Sequence, residues 1–303
     1  MKRSPGQSAA NGAKLLVPLL ALGWGFNWIA TRFILEVLQP WSLRAIGVSL
    51  GALTLFATAY FAGIPLRIGR DERVKVIVAG LFNVAIFGVC SAYAQVYGTT
   101  SRAIVIAYSM PIWSALLARI VLKERFTKTT LIALGLCAAG LATLISPLAR
   151  TGFPFGALLA LGCAWSWAAG TIYLKSAVIR APTLIAAAWQ LLFGAVVLTC
   201  GALLFEGLPH LHSISASHAA WIAYNGFIGM GFTYFVWFII VDRLLTTTAS
   251  LATLLVPVVG VIGSAALLGE RPNFSDSIGF ALIFCAAACV LLQPNAKHPE
   301  APE

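Results

Sequence analysis

Displaced by 146 positions, the sequence falls on itself. Gly80 meets Gly226, Thr100 meets Thr246, Pro111 meets Pro257, Leu122 meets Leu268, Glu124 meets Glu270, Arg125 meets Arg271 and Ile132 meets Ile278. No gap is needed from about residue 79 to 145 against 225 to 291. Whatever structure the first copy adopts, the second must adopt a near relative of it, and the two must pack together.

The copies are apolar. Residues of the AVILMFWYC set make up 60% of the chain and charged residues 10%, a balance that a water-soluble domain cannot bury. The charges gather in short clusters and leave apolar runs of about 20 residues, the length of a helix crossing about 30 Å of hydrocarbon. Backbone in lipid must satisfy its own hydrogen bonds, and the alternation of barrel strands is absent, so the runs read as helices. Ten are legible: about 15–34, 41–63, 74–97, 100–121, 129–148, 154–174, 182–205, 218–241, 246–268 and 275–293, with a tight turn at Gly98 to Thr100. The first follows a polar, basic tail without a signal-peptide cleavage pattern and reads as a retained helix.

The net charge of +10 does not mark a nucleic-acid partner, because of where the charge lies. With the N-terminus inside, ten crossings place Lys2, Arg3, Lys14, Arg67, Arg70, Arg73, Lys75, Arg119, Lys123, Arg125, Lys128, Lys175, Arg180, Arg243 and Lys297 inside. Only Arg32, Arg102, Arg150 and Arg271 fall outside, and Arg44 lies within a span. This bias puts both termini on the cytoplasmic side; the expected location is a cell membrane, a bacterial inner membrane. Five helices per copy is an odd number, so the second copy enters from the opposite side. The expected architecture is therefore an all-α polytopic membrane protein with ten transmembrane helices in two inverted five-helix repeats. Its parts are a tail at 1–13, repeats at 14–148 and 149–293, and a tail at 294–303. Inverted repeats are typical of secondary transporters, which place a substrate at the interface of the copies near the bilayer midplane.

Pro111 and Pro257 interrupt the fourth helix of each copy and free a backbone carbonyl there. Such breaks pack a kink or line a cavity. Polar and aromatic residues inside the helices give the remaining cavity candidates: Trp24, Asn27, Arg44, Tyr93, Ser109, Trp165, Gln190, Tyr234 and Trp237. Hydrogen-bonding groups beside flat rings suit a small amphiphilic solute, although amides also serve as interhelical glue and tryptophans as interfacial belts. Arg44 is compatible with an anionic substrate group and equally with snorkelling to the interface marked by Pro40 and Trp41. Glu124–Arg125 and Glu270–Arg271 stand at helix ends as gate latches or as ordinary interfacial termini. Gly47 and Gly51 form a close-packing GxxxG step.

The stretches WGFNWIATR (24–32), PWSLRAIG (40–47), LKERF (122–126) and LGERP (268–272), taken with the ten helices and the inverted repeat, resemble the EamA-type repeat of the drug/metabolite transporter superfamily. The likeness runs over about residues 15–292. It implies a ten-helix transporter working by alternating access, often an exporter of amino acids or related metabolites, without naming the cargo.

Several classes are excluded or disfavoured. No helix centre holds Asp, Glu or His, which argues against an intramembrane proton relay and against an intramembrane enzyme. There is no GxxxxGK[ST] loop for ATP. The six cysteines lie in helices without a metal-type pair and read as packing residues, so no metal or cofactor is expected. The expected partners are a small-molecule substrate and the lipid bilayer, not nucleic acid; a homodimer stays open. The alternatives are a cationic multidrug efflux transporter, which would want a buried acid, and a non-transporting membrane scaffold.

Overall fold

The computed structural model describes residues 15–123, 126–151, 155–177, 179–209, 214–243, 253 and 255–291. Among these residues the regular structure is all helix: α1 (Val17–Ile34), α2 (Pro40–Phe61), α3 (Arg70–Val96), α4 (Thr100–Val121), α5 (Lys128–Thr151), α6 (Phe155–Ala177), α7 (Thr183–Phe205), α8 (216–243), α9 (Leu255–Leu267) and α10 (Phe274–Leu291). Helices α2, α3, α4, α6 and α7, and the 128–145 part of α5, are long and apolar enough to cross a bilayer; α9 is a shorter apolar helix. Large apolar side chains such as Leu53, Ile120, Val196 and Leu204 remain exposed on the bundle surface, where lipid tails are as suitable a neighbour as protein.

Proline and glycine punctuate the helices as their chemistry requires. Pro18 and Pro40 occupy first turns and Pro182 the N-cap of α7, positions where a missing N–H costs nothing. Gly63 and Gly207 close α2 and α7 in the left-handed conformation, at φ 67° and 77°. The tight turn between α3 and α4 lies at 97–99.

Helix α4 differs from its sequence expectation. It does not merely kink at Pro111 but stops at Ala107, turns through Tyr108 and Ser109, and restarts at Met110. Pro111 has no N–H to give the Ala107 carbonyl, so the chain tightens: Ser109 N–H donates to the Ile106 carbonyl at 3.1 Å and Ile112 N–H to the Ser109 carbonyl at 3.0 Å. Pro257 stands in the first described turn of α9. Residues 244–252 and 254, Thr246 among them, lie outside the described residues.

Two further departures are π-helical stretches, Leu81–Ile86 within α3 and Tyr224–Phe232 within α8. A shift of 146 carries 81–86 onto 227–232, inside the second stretch. The same shift carries Lys123 onto Gly269, and both are left-handed, at φ 55° and 68°.

Helix α2 packs on α7, α5 on α10, α9 on α1, α4 on α6, and the π-helical stretch of α8 on α2. Two crossings are close enough to exclude side chains. A methyl group at Gly51 would lie 2.7 Å from Met230 Cβ, and one at Gly80 would lie 2.7 Å from the Gln190 carbonyl oxygen. Gly51, half of the GxxxG step, thus seats α2 against α8.

Carboxylates tie the ends of the bundle. At one end Glu206 accepts from the backbone N–H groups of Trp41 and Ser42, each at 2.8 Å, and from the Ser42 hydroxyl. At that end too, Glu270 accepts from Thr100 and Ser101 N–H at 2.7 and 2.9 Å. At the other end the Arg180 N–H donates to Glu72. In the first two cases a residue of the later half caps a helix N-terminus of the earlier half, satisfying N–H groups that the helix leaves open.

Candidate functional site

A small cavity of about 30 Å³, room for about two waters, lies inside the bundle between α1, α2, α3, α4, α6 and α8. Helical spacing puts Trp24, Asn27, Trp28 and Thr31 on one face of α1, and Val84, Phe87, Gly88 and Ser91 on one face of α3. Arg44 enters from α2, Tyr108 and Met110 from the α4 break, Trp167 from α6, and Met230 and Tyr234 from α8.

Six of the fourteen lining residues are aromatic. Trp24 meets Trp167 edge-on at 5.4 Å between ring centres and Tyr234 at 5.6 Å. Trp28 meets Phe87 at 6.4 Å and Tyr108 at 6.5 Å, and Phe87 meets Trp167 at 5.2 Å. Perpendicular and tilted pairs like these are favourable for ring quadrupoles. The rings are also fixed through the π-helical stretches. Widening the helix disturbs its hydrogen-bond ladder, and side chains supply donors there. The Tyr234 hydroxyl donates to the Asn83 carbonyl at 3.2 Å, Trp24 Nε1–H to the Gly229 carbonyl at 3.2 Å, and the Ser166 hydroxyl to the Phe82 carbonyl at 2.5 Å. Each π-helical stretch therefore holds one cavity aromatic in place.

The polar part of the wall is small. Arg44 Nε–H donates to the Gly88 carbonyl at 3.0 Å and Nη2–H to the Ser91 hydroxyl oxygen at 2.8 Å. Asn225 Nδ2–H donates to Asn27 Oδ1 at 2.8 Å, orienting that amide, and the Thr31 hydroxyl donates to the Asn27 carbonyl. None of the lining residues is Asp, Glu or His. Among the described residues no cluster of His, Cys, Asp and Glu could hold a metal.

Of the residues singled out from sequence, the structure brings Trp24, Asn27, Arg44 and Tyr234 to the cavity wall. Trp237 stands immediately behind it, 5.6 Å from Trp24 and 5.8 Å from Trp167. Ser109 and Pro111 are buried in the α4 break without lining the cavity, their neighbours Tyr108 and Met110 taking that place. Gln190 is buried where α7 crosses α3, and Pro257 is buried in α9. Tyr93 is half-buried and stacks on Tyr97, and Trp165 is 49% exposed against Phe82. The wall also takes Trp28, Thr31, Phe87, Ser91, Tyr108, Met110, Trp167 and Met230; the sequence offers Trp28, Ser91 and Trp167 only among the polar and aromatic helix residues at large, and does not single out the other five.

Beside the cavity along α1, a wider cleft of about 480 Å³ is lined by Arg32, Phe33, Glu36, Gly98, Thr99, Leu267, Leu268 and Glu270. Glu270 thus lines the cleft while capping α4 and makes no pair with Arg271, which is exposed. Arg102 pairs with Asp276 beside this region, at 3.3 Å, and Glu36 of the cleft lies 3.5 Å from His218 Nε2. Glu124 and Arg125 lie outside the described residues.

A family model described as the EamA-like transporter family matches the chain twice, over residues 12–146 and 154–292. The chain belongs to the EamA-like transporter family. It is 25% identical to an uncharacterized transporter of Bacillus subtilis, YoaV, over 88% of this chain and 92% of that protein. It is also 25% identical to a probable amino-acid metabolite efflux pump of Salmonella typhimurium, over 88% of this chain and 91% of the relative. A solved crystal structure shares the fold with a TM-score of 0.70 and 23% identity, covering 93% of this chain and 97% of its own. This EamA-like protein is accordingly a multi-pass membrane transporter, a class that handles a small-molecule substrate; family and relatives point to a transporter and not an enzyme.

Proposed function

We propose that this EamA-like transporter is a secondary exporter of small amphiphilic metabolites, amino acids or their relatives, working by alternating access. The observation that carries the reading is the aromatic cavity enclosed by helices of both family-model matches, with a single guanidinium in its wall. The coincidence of π-helical stretches and left-handed residues at an offset of 146 supports two inverted five-helix repeats and ten crossings. The charge distribution supports a bacterial-type inner membrane with both termini cytoplasmic.

In this reading Trp24, Asn27, Arg44 and Tyr234 touch the solute, and Trp237 backs the ring cluster. The 30 Å³ space is a closed form of the site, and a metabolite enters when one end of the bundle parts. The carboxylate caps at Glu206 and Glu270, and the Glu72 contact at the opposite end, are the ties that such a motion breaks and remakes in turn. Relatives named probable amino-acid metabolite efflux pumps support export of that class. Cationic drug efflux is the weaker reading, because among the described residues no acidic side chain stands in the wall to receive a cation.

Purified protein reconstituted in liposomes is expected to move solutes of this class down an imposed gradient without ATP. A screen across amino acids, organic acids, nucleosides and cationic dyes tests it. Folded, reconstituted protein that moves none of them would refute transport.

A further inference from the structure

Arg44 is 5% exposed and reaches the cavity from the second turn of α2. Its two hydrogen bonds go to neutral oxygens, the Gly88 carbonyl and the Ser91 hydroxyl. A guanidinium carries five N–H donors, so the protein engages two of them. Arg102 pairs with Asp276, and Glu36 lies beside His218; neither contact involves Arg44. A buried cation answered only by neutral acceptors is an incomplete arrangement, because its charge has left water without meeting an opposite one. Snorkelling does not resolve it, since the guanidinium turns inward to α3.

What would complete it is set by the rest of the wall. Trp24, Trp28, Phe87, Tyr108, Trp167 and Tyr234 offer flat apolar surface. Among the described residues no carboxylate lines the wall to receive an ammonium group, and Arg44 itself repels one. One guanidinium matches one anionic group, and its planar fork suits a carboxylate.

Resting on the transporter reading above, we infer that the solute is an organic monoanion: a carboxylate on a bulky, preferably aromatic, apolar body, held by Arg44, with an α-ammonium group dispensable. The carboxylate takes the unengaged N–H groups of Arg44, and the body replaces water among the rings. Ser91 is a positioning residue, holding one arm of the guanidinium so that the rest of the fork faces the cavity. A zwitterionic amino acid is accepted less well than its deaminated analogue, and the matching amine is rejected.

Three probes share one body and differ only in charged groups: 3-phenylpropanoate, phenylalanine and 2-phenylethylammonium. Binding to the purified, detergent-solubilised protein is read from quenching of the tryptophan fluorescence of the ring cluster and from thermal shift. The expected order is 3-phenylpropanoate first, phenylalanine second, and the amine at least tenfold weaker than the first. Arg44→Gln is expected to weaken the two carboxylates at least tenfold without weakening the amine. Arg44→Lys should keep the preference for the anion at lower affinity, because the charge stays and the fork is lost. The order in the unaltered protein decides the matter even if Arg44→Gln does not fold. Equal or tighter binding of the amine overturns the inference, as does a folded Arg44→Gln protein that keeps the original preference. Liposome flux separates the two readings: transport of other solutes without any preference for carboxylates sinks this inference alone, whereas no transport at all sinks the transporter reading.

Discussion

The ring cluster is organised by single hydrogen bonds to π-helical carbonyls, and these can be removed one at a time. Tyr234→Phe takes the donor from the Asn83 carbonyl and keeps its ring, whereas Trp24→Phe takes the donor from the Gly229 carbonyl and also replaces the indole with a smaller ring. Polar contacts between helices in a membrane are worth about 0.6 kcal/mol on average and up to about 1.7, so Tyr234→Phe should lower the melting temperature in detergent modestly, and Trp24→Phe, which also leaves a cavity, by more. The two rings touch at 5.6 Å, so the double variant should depart from additivity; independent effects would mean that the cluster is not one unit. At this scale the sequence was legible as chemistry and illegible as phase. Trp165 and Trp167 are two positions apart on α6, about 200° around the helix, so one faces the cavity and the other faces out. The same separation on α3 sets Ser91 on the wall and Tyr93 off it. With lipid on one side and protein on the other, both sides of such a helix are apolar, and composition cannot say which ring points inward. Arg44 and Asn27 were readable because a charge or an amide inside an apolar run has few places to go, although the amide of Gln190 went to the crossing of α7 and α3 instead.

Among the elements, the helices and the turn between α3 and α4 followed from run length and the placement of Gly and Pro, whereas the π-helical stretches did not. A π-helical stretch changes the hydrogen-bond register without changing residue type, and its signature here, glycines near 80–88 and 226–231, is shared with ordinary close packing. The α4 break was half readable, since Pro111 announces a lost hydrogen bond but not that the chain turns two residues earlier. The ties between elements were readable as charges and not as partners. Glu270 stood beside Arg271 in sequence, yet its carboxylate caps the N-terminus of α4, which has no side-chain cap of its own. Glu270→Ala should therefore cost about 1 kcal/mol, and Glu270→Gln, which keeps one acceptor oxygen, less; thermal unfolding in detergent measures both. In flux assays the Ala variant should remain active, because a tie that must break in each cycle holds a closed end and does not perform transport. Loss of flux in a folded Glu270→Ala protein would move Glu270 from the latch to the translocation path.

The whole molecule must have an energy source, and the options are narrow. The chain carries no phosphate-cradling loop for ATP, and among the described residues no Asp, Glu or His lines the cavity to carry a proton across with the solute. Facilitated diffusion down the solute's own gradient, or exchange, is then the expected mode, and for the monoanion inferred above the membrane potential adds to the drive. Over one closed cycle the protein returns to its starting state, so the net charge moved is that of the solute alone, whatever charge Arg44 holds in between. One elementary charge across 100 mV is worth about 2.3 kcal/mol, equivalent to about a 50-fold concentration ratio. An interior-negative potential would then drive export of an anion without any coupling ion. Proteoliposomes loaded with 3-phenylpropanoate and clamped with a potassium gradient and valinomycin test this at fixed pH, with protein-free vesicles giving the background leak. Efflux should quicken when the interior is negative and slow when it is positive, while any phenylalanine flux, electroneutral as a zwitterion, should ignore the clamp. Efflux of the anion that is indifferent to potential would require a compensating charge to travel with it. A proton carried by a group outside the cavity, or exchange for a second anion, would then take the place of voltage as the drive.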